Sequence, residues 1–252
     1  MAWLYHLPLV LLFLVLNLLI GAAALALWWL PRLPQAFPLV RAGREVSPVI
    51  QGICGTLFVL ATTFLSSSVW TIEDQAYETV AIEAREVRLL RTLAHLFPEP
   101  RRSELVNLVT DYAEQSAAEW PNMDNGGGSR EAERVLAALY NTAVSLAPSQ
   151  QMLAGEFMTA LKAMGEARER RLDIARNNVS GDQWATMLIL AAILGVAVTF
   201  VHAGEAGGRA IALGLVAVIV ATALFLLIAH DRPFIGREAL GPEAVIAAAR
   251  GS

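Results

Sequence analysis

The sequence predicts an all-α integral membrane protein, with four transmembrane helices and a cytoplasmic helical domain inserted between the second and third. Three observations carry that expectation. The 252 residues are 56% hydrophobic and only 17% charged, with a mean hydropathy of +0.50, against roughly 25% charged in ordinary soluble domains. The charge is also unevenly placed, since 30 of the 42 charged side chains lie between Glu73 and Asp182. Outside that stretch stand four apolar runs, 4–30, 49–70, 184–202 and 210–230, without a Lys, Arg, Asp or Glu.

The first run carries 16 Leu, Ile, Val or Phe residues and is long enough, at about 1.5 Å per residue, to cross a hydrocarbon core of roughly 30 Å. It has no Lys or Arg ahead of its apolar core and far exceeds a leader's apolar length, so a retained helix is expected rather than a cleaved signal peptide. The second run is interrupted only by Thr and Ser, whose hydroxyls can bond back to the preceding turn. The third and fourth are joined by 203–209, a length suited to a helical hairpin. Trp28, Trp29, Trp70 and Trp184 fall at run ends, where amphipathic rings favour the headgroup layer.

Flanking arginines set the orientation. Arg85, Arg88, Arg91, Arg168, Arg170, Arg171, Arg176, Arg232, Arg237 and Arg250 fall on one side, against Arg32, Arg41, Arg44 and Arg209 on the other. The positive-inside rule then makes the middle segment and both termini cytoplasmic, in a bacterial inner membrane. The expected divisions are 1–72 with two spans, 73–183 as the helical domain, 184–230 with two more spans and 231–252 as a tail.

Within the middle segment Ala76, Val80, Ala84, Val87, Leu90, Ala94 and Phe97 recur at steps of three and four, so the second span is expected to run on as one long helix. Pro98 and Pro100 stop it. Ser103 is expected to cap the next helix, with Leu105, Leu108, Val109, Tyr112 and Ser116 on one face, ending at Glu119, Trp120 and Pro121. Residues 122–129, rich in Gly, read as a mobile loop; no P-loop lysine follows them. Two further amphipathic helices follow, separated near Pro148 and Ser149, the second burying Leu153, Phe157, Leu161, Met164, Leu172 and Ala175.

Several functions are excluded. A net charge of −4 gives no basic surplus for a phosphate backbone, so nucleic acid is not an expected partner. Cys54 stands alone, without a disulfide or thiol-exchange mate. The four histidines have no metal-ligand spacing, and Glu166, Glu169 and Asp173 lie among Arg170, Arg171 and Arg176, the pattern of a solvated face. No enzyme, metal centre or cofactor is expected. No ionisable group falls inside a span, which argues against coupled transport.

A passive pore needs no such group. Phe58, Phe64, Ser66, Ser67 and Ser68 are its expected lining, with Glu73, Asp74 and Glu78 at the mouth favouring cations and Arg85, Arg88 and Arg91 deeper in favouring anions. The rival expectation is a non-conducting scaffold or sensor whose helical domain binds a protein. Small residues at Ala191 and Gly195, Ala210 and Gly214, and Ala217 and Ala221 would permit close helix approach. Asp231 and Arg232 are expected to pair at the end of the fourth span.

At these residues the chain resembles a bacterial family of membrane proteins labelled bestrophin-like. The features that carry the resemblance are the run 64–70, Phe-Leu-Ser-Ser-Ser-Val-Trp; the turn Glu119, Trp120, Pro121; Arg171 and Leu172 ahead of Trp184; and the motif Asp231, Arg232, Pro233, Phe234, followed by Gly236. The resemblance implies a fold related to bestrophins, which are oligomeric ion channels, commonly pentamers with an axial pore lined by the second span. Expected partners are therefore membrane lipid, copies of the same chain and small inorganic ions. This chain has no acidic run of the kind that forms a bestrophin calcium clasp.

Overall fold

In the computed structural model, 7–33, 43, 48–125, 127–146, 151–176, 179–235 and 239–250 are described. The expectations for Arg41, Arg44, Pro148, Ser149, Gly236 and Arg237 lie outside those residues. The described residues form eight α-helices and no strand: α1 (Leu9–Trp29), α2 (Pro48–Ala94), α3 (Arg101–Ala117), α4 (Arg130–Val144), α5 (Gln151–Arg176), α6 (Gly181–Val201), α7 (Ala206–His230) and α8 (Glu243–Arg250). Four helical stretches are long and apolar enough to cross a membrane. They supply α1, α2, α6 and α7.

The chain divides into two compact units, Met1–Thr71 with Val179–Asp231, and Ile72–Asn178 with Arg232–Ser252. Helix α2 is a single 47-residue helix that contributes to both.

The first unit holds α1, the first half of α2, α6 and α7. Its core joins Leu12 and Leu16 to Phe58, Leu65, Val69, Met187, Val198, Leu213 and Leu224. α1 lies along α7, and Phe13 meets Phe225 edge to face with ring centroids 5.4 Å apart. The hydroxyls of α2 serve its own backbone: Thr62 donates to the Phe58 carbonyl at 2.8 Å and Thr71 to that of Ser67 at 2.8 Å. An apolar helix thereby carries these hydroxyls without leaving them unpaired. Ser180 and Gln183 form a capping box at the start of α6. The Val179 amide donates to Asp231 Oδ1 at 2.9 Å, so Asp231 ties the entry of α6 to the exit of α7.

The fourth apolar helix starts earlier than the sequence run. α7 begins at Ala206 and takes in Arg209, which is buried. Its Nη1 donates to the carbonyls of Ala203, at 3.1 Å, and His202, so the arginine satisfies the exposed end of α6.

The second unit holds the rest of α2 with α3, α4, α5 and α8. The seven α2 and loop positions expected to be buried, Ala76 through Phe97, all are. They meet Leu105, Val109 and Tyr112 of α3, Leu139 of α4, and Phe157, Leu161 and Met164 of α5. Residues of the expected tail join this core through Phe234, Val245, Ala248 and Ala249.

Two local expectations change. α3 starts at Arg101, and Ser103 is not its cap; the Glu99 carboxylate takes the Ser103 amide at 3.2 Å and its hydroxyl at 2.8 Å. A carboxylate can meet an N-terminal amide from outside the helix, where it also suits the macrodipole. The Ser103 hydroxyl holds the Glu99 carboxyl below its ordinary pKa. The end of the Gly-rich loop is fastened rather than free: Ser129 donates its amide to Glu119 Oε1 at 2.7 Å and caps α4 through its side chain. Gly128 passes so close to α5 that a Cβ there would stand 3.0 Å from Leu172 Cδ1.

Candidate functional site

Two features of the structure bear on function: one face of α2, and a cluster of buried charges in the second unit.

Along α2 an exposed stripe opposes the buried one and keeps the same steps of three and four. In the first unit it consists of Leu57, Leu60, Phe64, Ser67 and Thr71; in the second, of Asp74, Glu78, Ala81, Arg85 and Arg88. Its chemistry passes from apolar to hydroxyl, then acidic, then basic. Of the expected lining residues, Phe64 is 68% exposed, and Ser67, Ser68 and Asp74 are also exposed. Glu73 is half-buried. Phe58 is 2% exposed and packs within its own unit, and Ser66 is buried as well, so neither shares a face with Phe64. The α-helical step of about 100° explains the split, since neighbours in sequence look in different directions.

The buried charges centre on Arg171 of α5, which has 0% exposure, as does Glu83 of α2. Arg171 Nε lies 2.8 Å from Glu83 Oε2, and its Nη2 donates to Ser116 Oγ at 2.8 Å and Glu119 Oε2 at 3.0 Å. Its guanidinium also stacks over the Trp120 ring, 4.1 Å from the centroid. Arg168, one turn earlier, donates to both Glu119 oxygens, at 2.5 and 3.2 Å. Tyr112 and Ser116 donate to Glu83 Oε1 at 2.9 and 2.7 Å. Two arginines thus face two carboxylates, with each carboxylate oxygen occupied.

Electrostatics follow from the packing. Burial alone would draw the Arg171 pKa down, but the Glu83 carboxylate, with Glu119, outweighs it and raises the value. Burial raises the Tyr112 phenol well above its usual value, and the Glu83 carboxylate adds to the shift. With arginine charged and tyrosine neutral at neutral pH, the cluster is a fixed structural clasp. It offers no open coordination position, and among the described residues no group of His, Cys, Asp or Glu could hold a metal ion.

The expected Glu119, Trp120 and Pro121 turn is therefore where the clasp meets the chain's C-terminal segment. Trp120 Nε1 donates to the Leu240 carbonyl at 2.7 Å, and its ring meets Phe234 edge to face. Arg171, expected with Arg170 and Arg176 on a solvated face, is instead interior, and so is Arg168. Glu166, Glu169 and Asp173 are exposed. The missed residues carried a signal: Glu83 keeps step with Ala76, Val80, Val87 and Leu90, while Arg168 and Arg171 keep step with Phe157, Leu161 and Met164.

Comparison with known proteins agrees with this architecture. A bacterial bestrophin homologue from Klebsiella pneumoniae carrying a point mutation superposes with a TM-score of 0.71 at 12% identity, over 96% of this chain and 97% of that one. A further structure of a bacterial bestrophin homologue from that organism gives 0.69 at 12% identity, over 96% of each chain. At such identity the likeness is one of fold. No curated protein matches the sequence. The family model described as the bestrophin-like domain matches residues 17–245. The chain is a membrane protein that belongs to the bestrophin-like domain family.

Proposed function

We propose that copies of this chain assemble around an axis lined by α2 and pass small inorganic ions down their gradient. The observation that carries this reading is the exposed stripe of α2. A lipid-facing surface has no use for a row that turns from Leu57, Leu60 and Phe64 to Ser67 and Thr71 and then to Asp74 and Glu78. Around an axis the same row supplies an apolar constriction that can gate by dewetting, followed by hydroxyls that assist a partly hydrated ion and an acidic ring. Its steps average 3.5 residues, the repeat that keeps a seam facing neighbouring copies along a long helix.

In this reading the chain is a channel and not an enzyme. The unit rich in charge is an insert between the second and third spans and lies in the cytoplasm with both ends of the chain, the membrane being a bacterial inner membrane. The arginine distribution supports that orientation. Five copies is the number the family resemblance suggests. The clasp of Arg171, Glu83 and Glu119 keeps the second half of α2 packed to α3 and α5 within its unit, so the exposed row has a stiff support.

Single-particle imaging of the purified protein tests the assembly. A closed ring with a continuous axial cavity bordered by Phe64 is expected. A monomer or a closed dimer contradicts the proposal and favours a non-conducting scaffold.

A further inference from the structure

On the first unit, α1, α6 and α7 enclose an apolar groove of about 500 Å³, bordered by Ile20, Leu27, Ala191, Gly195, Leu213 and Val220, among others. Of the small residues expected to bring helices together, Ala191, Gly195 and Ala217 border it, and Gly195 admits Leu27 of α1 so closely that a Cβ there would stand 2.7 Å from Leu27 Cδ1. Between Ile20 and Leu30 it follows α1 for about 15 Å at the α-helical rise.

Arg32 and Arg209, which do not border the groove themselves, stand within about a turn of its residues Leu30 and Leu213. Arg209 sits one turn before Leu213 on α7, in step with the groove residues Leu213, Val216 and Val220. It is 4% exposed, and while its Nη1 caps α6, its buried Nε has no hydrogen-bond partner. Glu205 lies over Gly208 and makes no ion pair with it. Arg32 lies two residues beyond the groove residue Leu30, just past the end of α1, and its guanidinium stacks on Trp28, 3.8 Å from the ring centroid. Trp28 in turn donates Nε1 to the Ala206 carbonyl at 3.0 Å, which binds the end of α1 to the start of α7, the helix that carries Arg209. Among the described residues neither arginine has a carboxylate partner. A buried cation without a counter-ion at the edge of a membrane is costly, and a free N–H beside it asks for an acceptor.

We propose that this groove binds one anionic phospholipid, with an acyl chain between α1, α6 and α7 and the phosphate held by Arg209 and Arg32. Charge selects the headgroup and the adjoining groove distinguishes a lipid from a free anion.

The test is native mass spectrometry of delipidated protein in detergent, titrated with dioleoyl phosphatidylglycerol or dioleoyl phosphatidylcholine. Phosphatidylglycerol is expected to bind at least tenfold more tightly. Arg32→Gln, on the exposed end, and Arg209→Gln should each weaken it about fivefold or more. Ala192→Phe, which fills the groove and leaves both charges in place, should weaken it similarly, while circular dichroism and elution volume stay unchanged. Equal binding of the two lipids overturns the proposal, as does unchanged phosphatidylglycerol binding in Arg32→Gln and Ala192→Phe. Displacement by millimolar inorganic phosphate with no effect of Ala192→Phe makes this a free-anion site and overturns the lipid assignment. A change of oligomeric state in Ala192→Phe without a change in lipid binding assigns the groove to a second copy, with the same consequence.

Discussion

Arg171 meets Glu83 across 88 residues of chain, Nε to Oε2 at 2.8 Å, and neither side chain reaches solvent. A buried pair of this kind is weak evidence for stability in itself, because desolvation offsets much of the attraction. Its consequence is specificity: α2, α3 and α5 must dock in one register for Glu83, Ser116, Glu119 and Arg171 to meet. Removing Arg171 leaves Glu83 charged and uncompensated, whereas Glu119 keeps Arg168.

Arg171→Met should therefore cost about 3–5 kcal/mol, the range for breaking one side of a buried ion pair. Thermal unfolding of the detergent-solubilised protein measures it. Adding Glu83→Gln to Arg171→Met should recover part of the loss, because the stranded Glu83 charge is then gone while Glu119 keeps its pair with Arg168.

Tyr112 predicts an alkaline effect. Burial, then the Glu83 carboxylate, raises its pKa well above 10 in the folded protein, whereas an unfolded phenol titrates near about 10. Above that pH the unfolded chain releases a proton that the folded chain keeps, so stability falls as pH rises; below it this contribution is constant. Tyr112→Phe should flatten that part of the pH profile relative to the wild type. At neutral pH it should lower stability by about 1.5–3 kcal/mol, the range for a hydrogen bond to a charged group.

Trp120→Phe removes the bond to the Leu240 carbonyl and weakens the stack on Arg171. A loss of about 1–2 kcal/mol is expected. Limited proteolysis should then cut within 232–242 faster than in the wild type, while sites in α3 keep their rates.

The charged part of the α2 stripe predicts selectivity. Asp74→Lys with Glu78→Lys should move the reversal potential of a reconstituted current toward anions under a salt gradient. Glu114→Lys, a charge reversal on α3 outside that stripe, should leave it in place.

How much of this was legible in sequence varied with the kind of signal. The apolar runs gave α1, α2, α6 and α7, because long uncharged stretches have few other solutions. The core of the second unit was legible from the steps linking Ala76 to Phe97. The clasp was not, because charge was read as exposure: Arg171 was placed on a solvated face although it keeps step with buried neighbours. Phe58 and Ser66 were grouped with Phe64 by closeness in the chain, and a helix separates such neighbours onto different faces. Arg209 was assigned to a loop because a count of uncharged residues cannot see that an arginine may end a span while capping its neighbour. One partner of Asp231, the amide of Val179, was legible only in three dimensions.

The central claim is that the exposed face of α2 borders an ion path, and planar-bilayer recording of the purified protein at two salt concentrations tests it most directly. The account predicts discrete current steps in the wild type and a larger unitary conductance in Phe64→Ala, with Phe58→Leu, buried in the unit's core, leaving conductance unchanged. Absence of current from protein that forms intact rings contradicts it, and so does a Phe64→Ala current identical to the wild type.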